Sequence, residues 1–400
     1  MLSKEMYKLG SARSSIRELF EYGKLKALEC GPENVMDFSL GNPSIPAPQE
    51  VEDAILKLIR EERATTLHSY TSAAGDNNAR IAIAAGLNSR FDAGLSMENL
   101  FIIGGAAPAL ISCFKALAEG PDSEFVTIAP YFPEYKVFIE TSAGALMRVV
   151  PADTKDFQIN FEALEQIINA NTCAVVINSP NNPSGVVYTR QTLEKLADLL
   201  NKKSAELGRT IYLISDEPYR ELVYGGVEVP FVPSTYKNTI ICYSYSKSLS
   251  LPGERIGYIA VPPQTHEWQQ VYTAIAGAAR AIGHVCAPSL MQRVAALCCN
   301  VEPDTSIYEH NSNLLYESMS SIGYTCAKPD GAFYLFFEAP HGLSGKAFSD
   351  LAKEKYNLLI VPGDDFGCPN HIRLSYCVPT SRIEQALPAL KELFELCRAK

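Results

Sequence analysis

The sequence predicts an α/β protein: a mostly parallel sheet covered by helices on both faces, followed by a smaller α+β domain. Seven short apolar runs recur between residues 100 and 261. Helical patterns separate several of them, and unbroken apolar strands alternating with helices mark a parallel sheet buried on both sides. In the last third the texture changes to helical stretches around one apolar segment, as a separate α+β unit requires.

The elements follow in order. Ile16, Leu19 and Phe20 have helical spacing within Arg13 to Lys26, and Gly31-Pro32 stops that helix. It has no evident place in either core, so a partner's surface is its expected seat. Met36 to Gly41 reads as a short strand entering a turn, and Asn42 to Pro48 as a proline-rich loop. Val51, Ile55, Leu58 and Ile59 mark an amphipathic helix. The expected strands are Leu100–Ile103, Phe125–Ala129, Ala145–Val150, Cys173–Asn178, Ile211–Ser215, Ile240–Ser244 and Ile256–Val261. Helices are expected at Pro108–Ala118, Phe161–Asn169 and Leu193–Leu207. Beyond them come a helix at Asn311–Ser321, a hairpin-like segment at Gly331–Phe337 and a final helix at Ser381–Arg398. The expected division is an N-terminal arm with part of the small domain over 1–45, the large domain over 46–290, and the C-terminal small domain over 291–400.

Composition narrows the function. The chain has 400 residues, 47% hydrophobic and 20% charged, which excludes a disordered chain, a collagen-like fibre and a small disulfide scaffold. Thirty-five basic residues against 45 acidic ones give a net charge of -10, which argues against nucleic acid or an anionic membrane as partner. The start, Met1 to Gly10, lacks the apolar stretch of a signal peptide, and no eighteen apolar residues run together. A cytoplasmic location is expected. The 11 cysteines include no C-x-x-C, and the 6 histidines show no ligand spacing, so reduced thiols and no metal site are expected.

In an open parallel sheet, ligands bind beyond the carboxyl ends of the strands. After Ile103 come Gly104-Gly105-Ala106-Ala107 and a helix, a place where backbone amides can approach a phosphate. After Asn178 comes the rigid loop Ser179-Pro180-Asn181-Asn182-Pro183-Ser184-Gly185. After Ser215 come Asp216 and, three residues on, Tyr219. After Cys242 come Ser244, Lys247 and then Arg255 leading into Gly257. Each motif alone has an ordinary structural reading as a turn or strand exit. Jointly they supply a phosphate cradle, an amide donor, a carboxylate with a phenol, and a lysine with an arginine. Those are the groups that pyridoxal 5'-phosphate needs.

At these residues, and at Arg373-Leu374-Ser375-Tyr376, the chain closely resembles the class I/II aminotransferases of the fold-type I pyridoxal-phosphate enzymes, from about Asp37 to the last helix. The resemblance implies a seven-stranded, mostly parallel sheet in the large domain. It implies amino transfer from an L-amino acid to a 2-oxo acid by a ping-pong mechanism through an aldimine on Lys247. Asp216 corresponds to the acid at the pyridine nitrogen, and Tyr219 and Asn182 to donors to the ring's phenolic oxygen. Ser244, Arg255 and the amides at Gly105, Ala106 and Ala107 correspond to phosphate ligands; relatives often carry a hydroxyl or lysine where Ala107 stands. Tyr70 resembles a tyrosine reaching the phosphate of the neighbouring subunit, and its other reading is a buried aromatic before a turn. Phe132 resembles the aromatic stacked on the ring, with Tyr131 as the competing assignment. Many relatives carry a histidine where Tyr135 stands, so the bond that orients the acid is open. Arg373 corresponds to the α-carboxylate arginine and Gly41 to a loop glycine beside that carboxylate. A homodimer with active sites at the interface is implied.

Two other functions compete. A C–S β-lyase would use the same residues, because both reactions begin by removing the Cα proton. A cofactor-binding regulator would need a fused DNA-binding domain, and only about 35 residues, one helix, precede the resemblance. Substrate choice is left open: Arg280 stands roughly where a distal-carboxylate arginine could lie, while Tyr22, Tyr70, Phe333 and Tyr334 could line an aromatic or aliphatic pocket.

Overall fold

A computed structural model describes residues 2–11 and 14–398. Met1 and Arg13, the first residue of the expected N-terminal helix, lie outside the described residues. The large sheet has seven strands: β2 (Leu100–Ile103), β3 (Glu124–Ile128), β4 (Leu146–Val150), β5 (Thr172–Asn178), β6 (Tyr212–Asp216), β7 (Thr239–Ser244) and β8 (Gly257–Ala260). Every expected strand is present, shifted by two residues or fewer at its ends. Their order is β2-β8-β7-β6-β5-β3-β4, and only β8 runs antiparallel to its neighbours.

Alternation along the strands builds two cores. On β5, Ala174 and Val176 enter one cluster with the helices Ala106–Leu117 and Trp268–Ala281. Val175 and Ile177 enter another with Phe161–Ile167 and Arg190–Leu207. A strand turns successive side chains to opposite faces, so continuous apolar character is what a sheet covered on both sides demands. Farther along the second face, Ile241 and Tyr243 of β7 meet the helices Gln49–Glu61, Asn77–Phe91 and Ser289–Cys298.

The small domain holds β1 (Met36–Asp37) paired parallel with β10 (Leu358–Leu359). Beside it, β9 (Tyr334–Glu338), β11 (Val361–Pro362) and β12 (His371–Ser375) form an antiparallel sheet in the order β11-β12-β9. Helices Ser306–Ile322, Gly345–Tyr356 and Thr380–Arg398 pack around these strands. The expected hairpin at Gly331–Phe337 is corrected here: β9 pairs with β12, some 35 residues later in the chain, so its partner was invisible to local pattern.

The N-terminal helix, Ser15–Cys30, is also corrected. Its Leu19 is 7% exposed and packs with Val35, Leu359, Val361 and Phe366 of the same chain. Ser15 fixes its start, donating to Asp365 Oδ2 from the backbone N at 3.1 Å and from Oγ at 2.6 Å. Leu25 and Leu28 on the same helix remain exposed. Leu19→Ala should therefore destabilise the subunit itself, by about 2 kcal/mol as expected for a truncated core leucine. A lowered Tm at unchanged oligomeric state checks this, and an unchanged Tm would refute the seat.

Candidate active site

Strands β2, β5, β6 and β7 run in one direction, so their carboxyl ends share one edge of the sheet. There, Ile103 leads into Gly104 and Gly105, Asn178 into the proline loop, Asp216 into Tyr219, and Ser244 into Lys247. A cavity of about 360 Å³ opens at this edge, and Arg373 and Tyr334 of the small domain close its side.

Lys247 sits in a single turn, Tyr245–Ser248, capped by Ser244, whose Oγ accepts from the Ser246 N at 3.2 Å. Its Nζ donates to the Gly41 carbonyl at 2.7 Å. Burial, the largest cause, brings its pKa down to about 8; Cys377 pulls upward, while Arg373 and Arg255 push further down. A buried amine with a pKa near 8 is neutral and nucleophilic in a minority of molecules at pH 7 and in most of them above pH 9, far more than an exposed lysine.

Asp216 is buried, and Tyr135 donates to its Oδ2 at 2.6 Å. Its Oδ1 is buried without a partner among the described residues. Burial raises the Asp216 pKa to about 7, the Tyr135 bond lowers it, and Glu217 raises it. An orphaned acceptor facing a cavity is unfavourable unless a ligand donor or cation meets it. The bond left open by the missing histidine is thus made here by a phenol.

Arg255 lies in the left-handed region at φ +52, which carries its guanidinium to Gly105. Its Nη1 donates to Pro252 O at 3.1 Å and reaches Ser246 Oγ at 3.5 Å. Gly105 has φ +96, and a Cβ there would stand 2.6 Å from Arg255 Nη2. The backbone is therefore bare where Gly105, Ala106 and Ala107 enter the helix Ala106–Leu117, leaving amides, a guanidinium and the Ser244 and Ser246 hydroxyls around one space.

Arg373 is 2% exposed on β12. It donates to Asn182 Oδ1 at 3.0 Å and to the Ser39 carbonyl at 2.5 Å, and its Cζ lies 4.7 Å from the Tyr334 ring. Its Nε has no partner, and no carboxylate among the described residues pairs with it. Burial lowers its pKa, so the site holds a desolvated cation awaiting an anion. Asn182 is itself fixed, because its backbone N donates to Asn178 Oδ1 at 2.7 Å. Gly41 must be glycine for space: a Cβ would strike the Tyr334 hydroxyl. Tyr219 shares a 2.9 Å bond with that same hydroxyl.

The cavity thus gathers Gly41, Ala106, Ala107, Phe132, Asn182, Asp216, Tyr219, Ser244, Lys247, Arg255 and Arg373. Gly105 stands beside them under Arg255. Phe132 lines the cavity, while Tyr131 packs against Gly367. Tyr334 lines it, Phe333 lies in the core behind Lys247, and Tyr22, on the N-terminal helix, packs against the cluster of Leu19, Leu359 and Phe366. Tyr70 is 84% exposed, which overturns the buried-aromatic reading, and neither it nor Arg280 lines this subunit's cavity. Sequence reading missed Ser246, whose signal was its place in the same serine-rich block, and Ser14, Ile16 and Arg17, which carried none. The donor set fits pyridoxal phosphate: an orphaned acid, a bare phosphate cradle, two ring-oxygen donors and a low-pKa amine.

The lowered Lys247 pKa gives a pH test. Reductive alkylation of the cofactor-free protein by a small aldehyde should label Lys247 with a rate that rises with pH and levels off above about 8. Exposed lysines should still be rising there, since their usual value is near 10.4. A Lys247 midpoint near 10 by peptide mapping would refute the environment described.

The described helices include none long and apolar enough to cross a membrane, and no described group of His, Cys, Asp and Glu could hold a metal ion. Residues 33–390 match the family described as aminotransferase class I and II. An aspartate aminotransferase of Thermotoga maritima is 30% identical over 375 residues, covering 92% of this chain and 94% of that protein. The crystal structure of an amino transferase from Eubacterium rectale is similar at TM-score 0.96 and 53% identity, with 99% of each chain covered. That of the Thermotoga maritima aspartate aminotransferase has TM-score 0.86 and 28% identity, with 98% of this chain and 100% of the other covered. With a seven-stranded sheet, a lysine, an acid and an arginine at one edge, and this match over nearly its whole length, the chain belongs to the class I and II aminotransferases, enzymes that use pyridoxal phosphate to move an amino group from an L-amino acid to a 2-oxo acid.

Proposed function

We propose that the cavity performs this amino transfer by a ping-pong cycle, each substrate being bound by Arg373 and turned over at Lys247. The observation that carries the reading is the buried Arg373 guanidinium, which has no carboxylate partner among the described residues and stands in the same cavity as the Lys247 amine. When bound, pyridoxal phosphate supplies an electron-accepting ring that makes the Cα proton of an amino acid removable. Asp216, through Oδ1, keeps a proton at the pyridine nitrogen, and Tyr135 fixes the carboxylate from behind. Tyr219 and Asn182 would donate to the ring's phenolic oxygen. Arg255, Ser244 and the amides at Gly105, Ala106 and Ala107 would hold its phosphate, and Phe132 would supply an apolar wall for its ring. The planar fork of Arg373 orients the α-carboxylate, with Gly41 beside it, and so sets the angle of the Cα–H bond. Lys247, half neutral near pH 8, takes and returns the proton.

Single-turnover mixing with amino acids, followed by visible absorbance and by assays for keto acid, ammonia and sulfide, tests the reaction. Keto acid without ammonia supports amino transfer; pyruvate with ammonia and sulfide from cysteine-type substrates would point to β-elimination instead. Lys247→Ala should abolish turnover, a loss of several orders of magnitude, while phosphate anchoring persists. Borohydride labelling of a different lysine in the wild type would overturn the assignment.

The same reading includes a cytoplasmic homodimer in which Tyr70 reaches the partner's phosphate site, and a division near residues 45 and 290. Tyr70 lies in a segment anchored by Gln292 Nε2 donating to Thr71 Oγ1 at 3.0 Å and by Ser289 Oγ donating to Leu67 O at 2.8 Å. Its exposed ring, with Val285 at 62% exposure, gives that region apolar surface suited to a second copy. A heterodimer of one Tyr70→Phe subunit and one Lys247→Ala subunit should keep one fully native site, because both lesions fall in the other. If the lysine-bearing site shows weakened phosphate binding instead, Tyr70 serves its own subunit.

A further inference from the structure

We infer that Tyr243 positions Lys247: a buried chain of hydrogen bonds from Glu221 through Tyr243 to Ser248 fixes the turn that carries the lysine. The inference deepens the amino-transfer reading above and rests on it for the role of Lys247.

The turn Tyr245–Ser248 has four residues, too few to be stable by helical hydrogen bonds of its own. Side chains must hold it, and two sets do so. The first faces the cavity: Ser244 Oγ lies 2.6 Å from Ser246 Oγ, and Arg255 Nη1 reaches Ser246 Oγ at 3.5 Å. These groups surround the phosphate cradle, so this anchor is shared with the ligand. The second set is independent of it. Ser248, 3% exposed, bonds the Tyr243 hydroxyl at 2.8 Å, and that hydroxyl donates to Glu221 Oε2 at 2.7 Å. The one phenolic proton goes to the carboxylate, so Ser248 donates to Tyr243. None of the three lines the active-site cavity, and their bonds persist whatever the cavity holds.

The far end of this chain is rigid. Tyr243 on β7 stands opposite Tyr258 on β8, with their rings stacked at 4.8 Å, and Tyr245 meets the Tyr243 ring edge-on at 5.0 Å. Arg220 Cζ lies 4.4 Å over the same ring, held by Glu217 at 2.8 Å and by the Tyr258 hydroxyl at 3.0 Å. The Glu221 side chain is 7% exposed, and its Oε1 pairs with Arg90 of the helix Asn77–Phe91 at 3.0 Å. Burial, the largest cause, holds the Tyr243 phenol well above its usual range; Glu221 and Tyr258 add to this, while Arg220 and Ser248 oppose it. The phenol therefore stays a donor across neutral and mildly alkaline pH. At the other end, Lys247 Nζ meets the Gly41 carbonyl at 2.7 Å, a contact that requires the turn at one height. A misplacement of about 1 Å in a reacting group can cost about 100-fold in rate.

The test uses full-length Tyr243→Phe, Ser248→Ala, their double variant, Glu221→Gln and Glu221→Ala, each with its Tm measured. In the cofactor-free chain, reductive alkylation by formaldehyde with peptide mapping gives the pH midpoint of Lys247, about 8 in the wild type. In Tyr243→Phe and in Ser248→Ala it should rise by about one unit toward the exposed-lysine value near 10.4, because a loosened amine regains water. The double variant should rise no further, as two ends of one bond require. Glu221→Gln, whose amide oxygen still accepts, should stay nearer the wild type than Glu221→Ala. In the holoenzymes kcat should fall about 10-fold or more while KM for the amino acid changes by about twofold or less, since Arg373 is untouched. A lowered Tm with an unmoved Lys247 midpoint in both single variants would overturn the inference, and so would additive shifts in the double variant. Should Tyr243→Phe not fold, Ser248→Ala, which removes a single oxygen atom, decides by the same midpoint. Because labelling needs no turnover, failure of amino transfer and failure of the Tyr243 role are read separately.

Discussion

The buried guanidinium of Arg373 is the constraint around which this protein is organised. A desolvated cation is costly unless hydrogen bonds and an anion compensate it. The chain supplies the bonds from two distant segments: Ser39 after the N-terminal strand and Asn182 from the loop after β5. It withholds the anion. The small-domain strand, the N-terminal segment and the loop after β5 thus meet at this one guanidinium.

Around it, the site is held by buried polar bonds rather than by loops free to adjust. Asn178 donates to the Asp216 carbonyl at 2.9 Å and accepts from the Asn182 backbone, locking two strand ends together. Behind the lysine turn, Arg220 pairs with Glu217 at 2.8 Å and donates to the Tyr258 hydroxyl at 3.0 Å, while Tyr243 bonds Ser248 at 2.8 Å. Fully partnered networks of this kind rigidify a core. Among the buried side-chain atoms left without a partner, Asp216 Oδ1 and Arg373 Nε belong to residues that line the cavity, while Arg80 Nε, His284 Nε2 and the Tyr376 hydroxyl lie elsewhere.

The electrostatics divide the labour. Burial raises Asp216 to about 7 and lowers Lys247 to about 8, so neither charge is strongly held in the absence of a ligand. A cationic pyridine nitrogen would draw Asp216 to its ionised form, and the phosphate would neutralise Arg255. Loading the cavity thus relieves the very groups whose desolvation the empty fold tolerates.

Much of this was legible in the sequence. Most of the seven strands announced themselves because burial on both faces demands unbroken apolar runs, the edge strand β4 being largely exposed, and the site's residues follow the ends of β2, β5, β6 and β7. Lys247, Asp216, Asn182, Arg255 and Arg373 were readable because their neighbours are glycines, prolines and serines that shape the local backbone. Pairings between distant segments were not readable. Whether Tyr135 could replace a histidine depended on a 2.6 Å approach to a residue 81 positions away. The seat of the N-terminal helix depended on Leu359, Val361 and Phe366, and β9 found its partner in β12 rather than in a hairpin. Arg17 has no motif around it; only the packing of that helix brings its charge to the cavity. Local pattern is set by backbone propensity and burial, which sequence carries, whereas long-range contacts are chosen by packing of the whole chain.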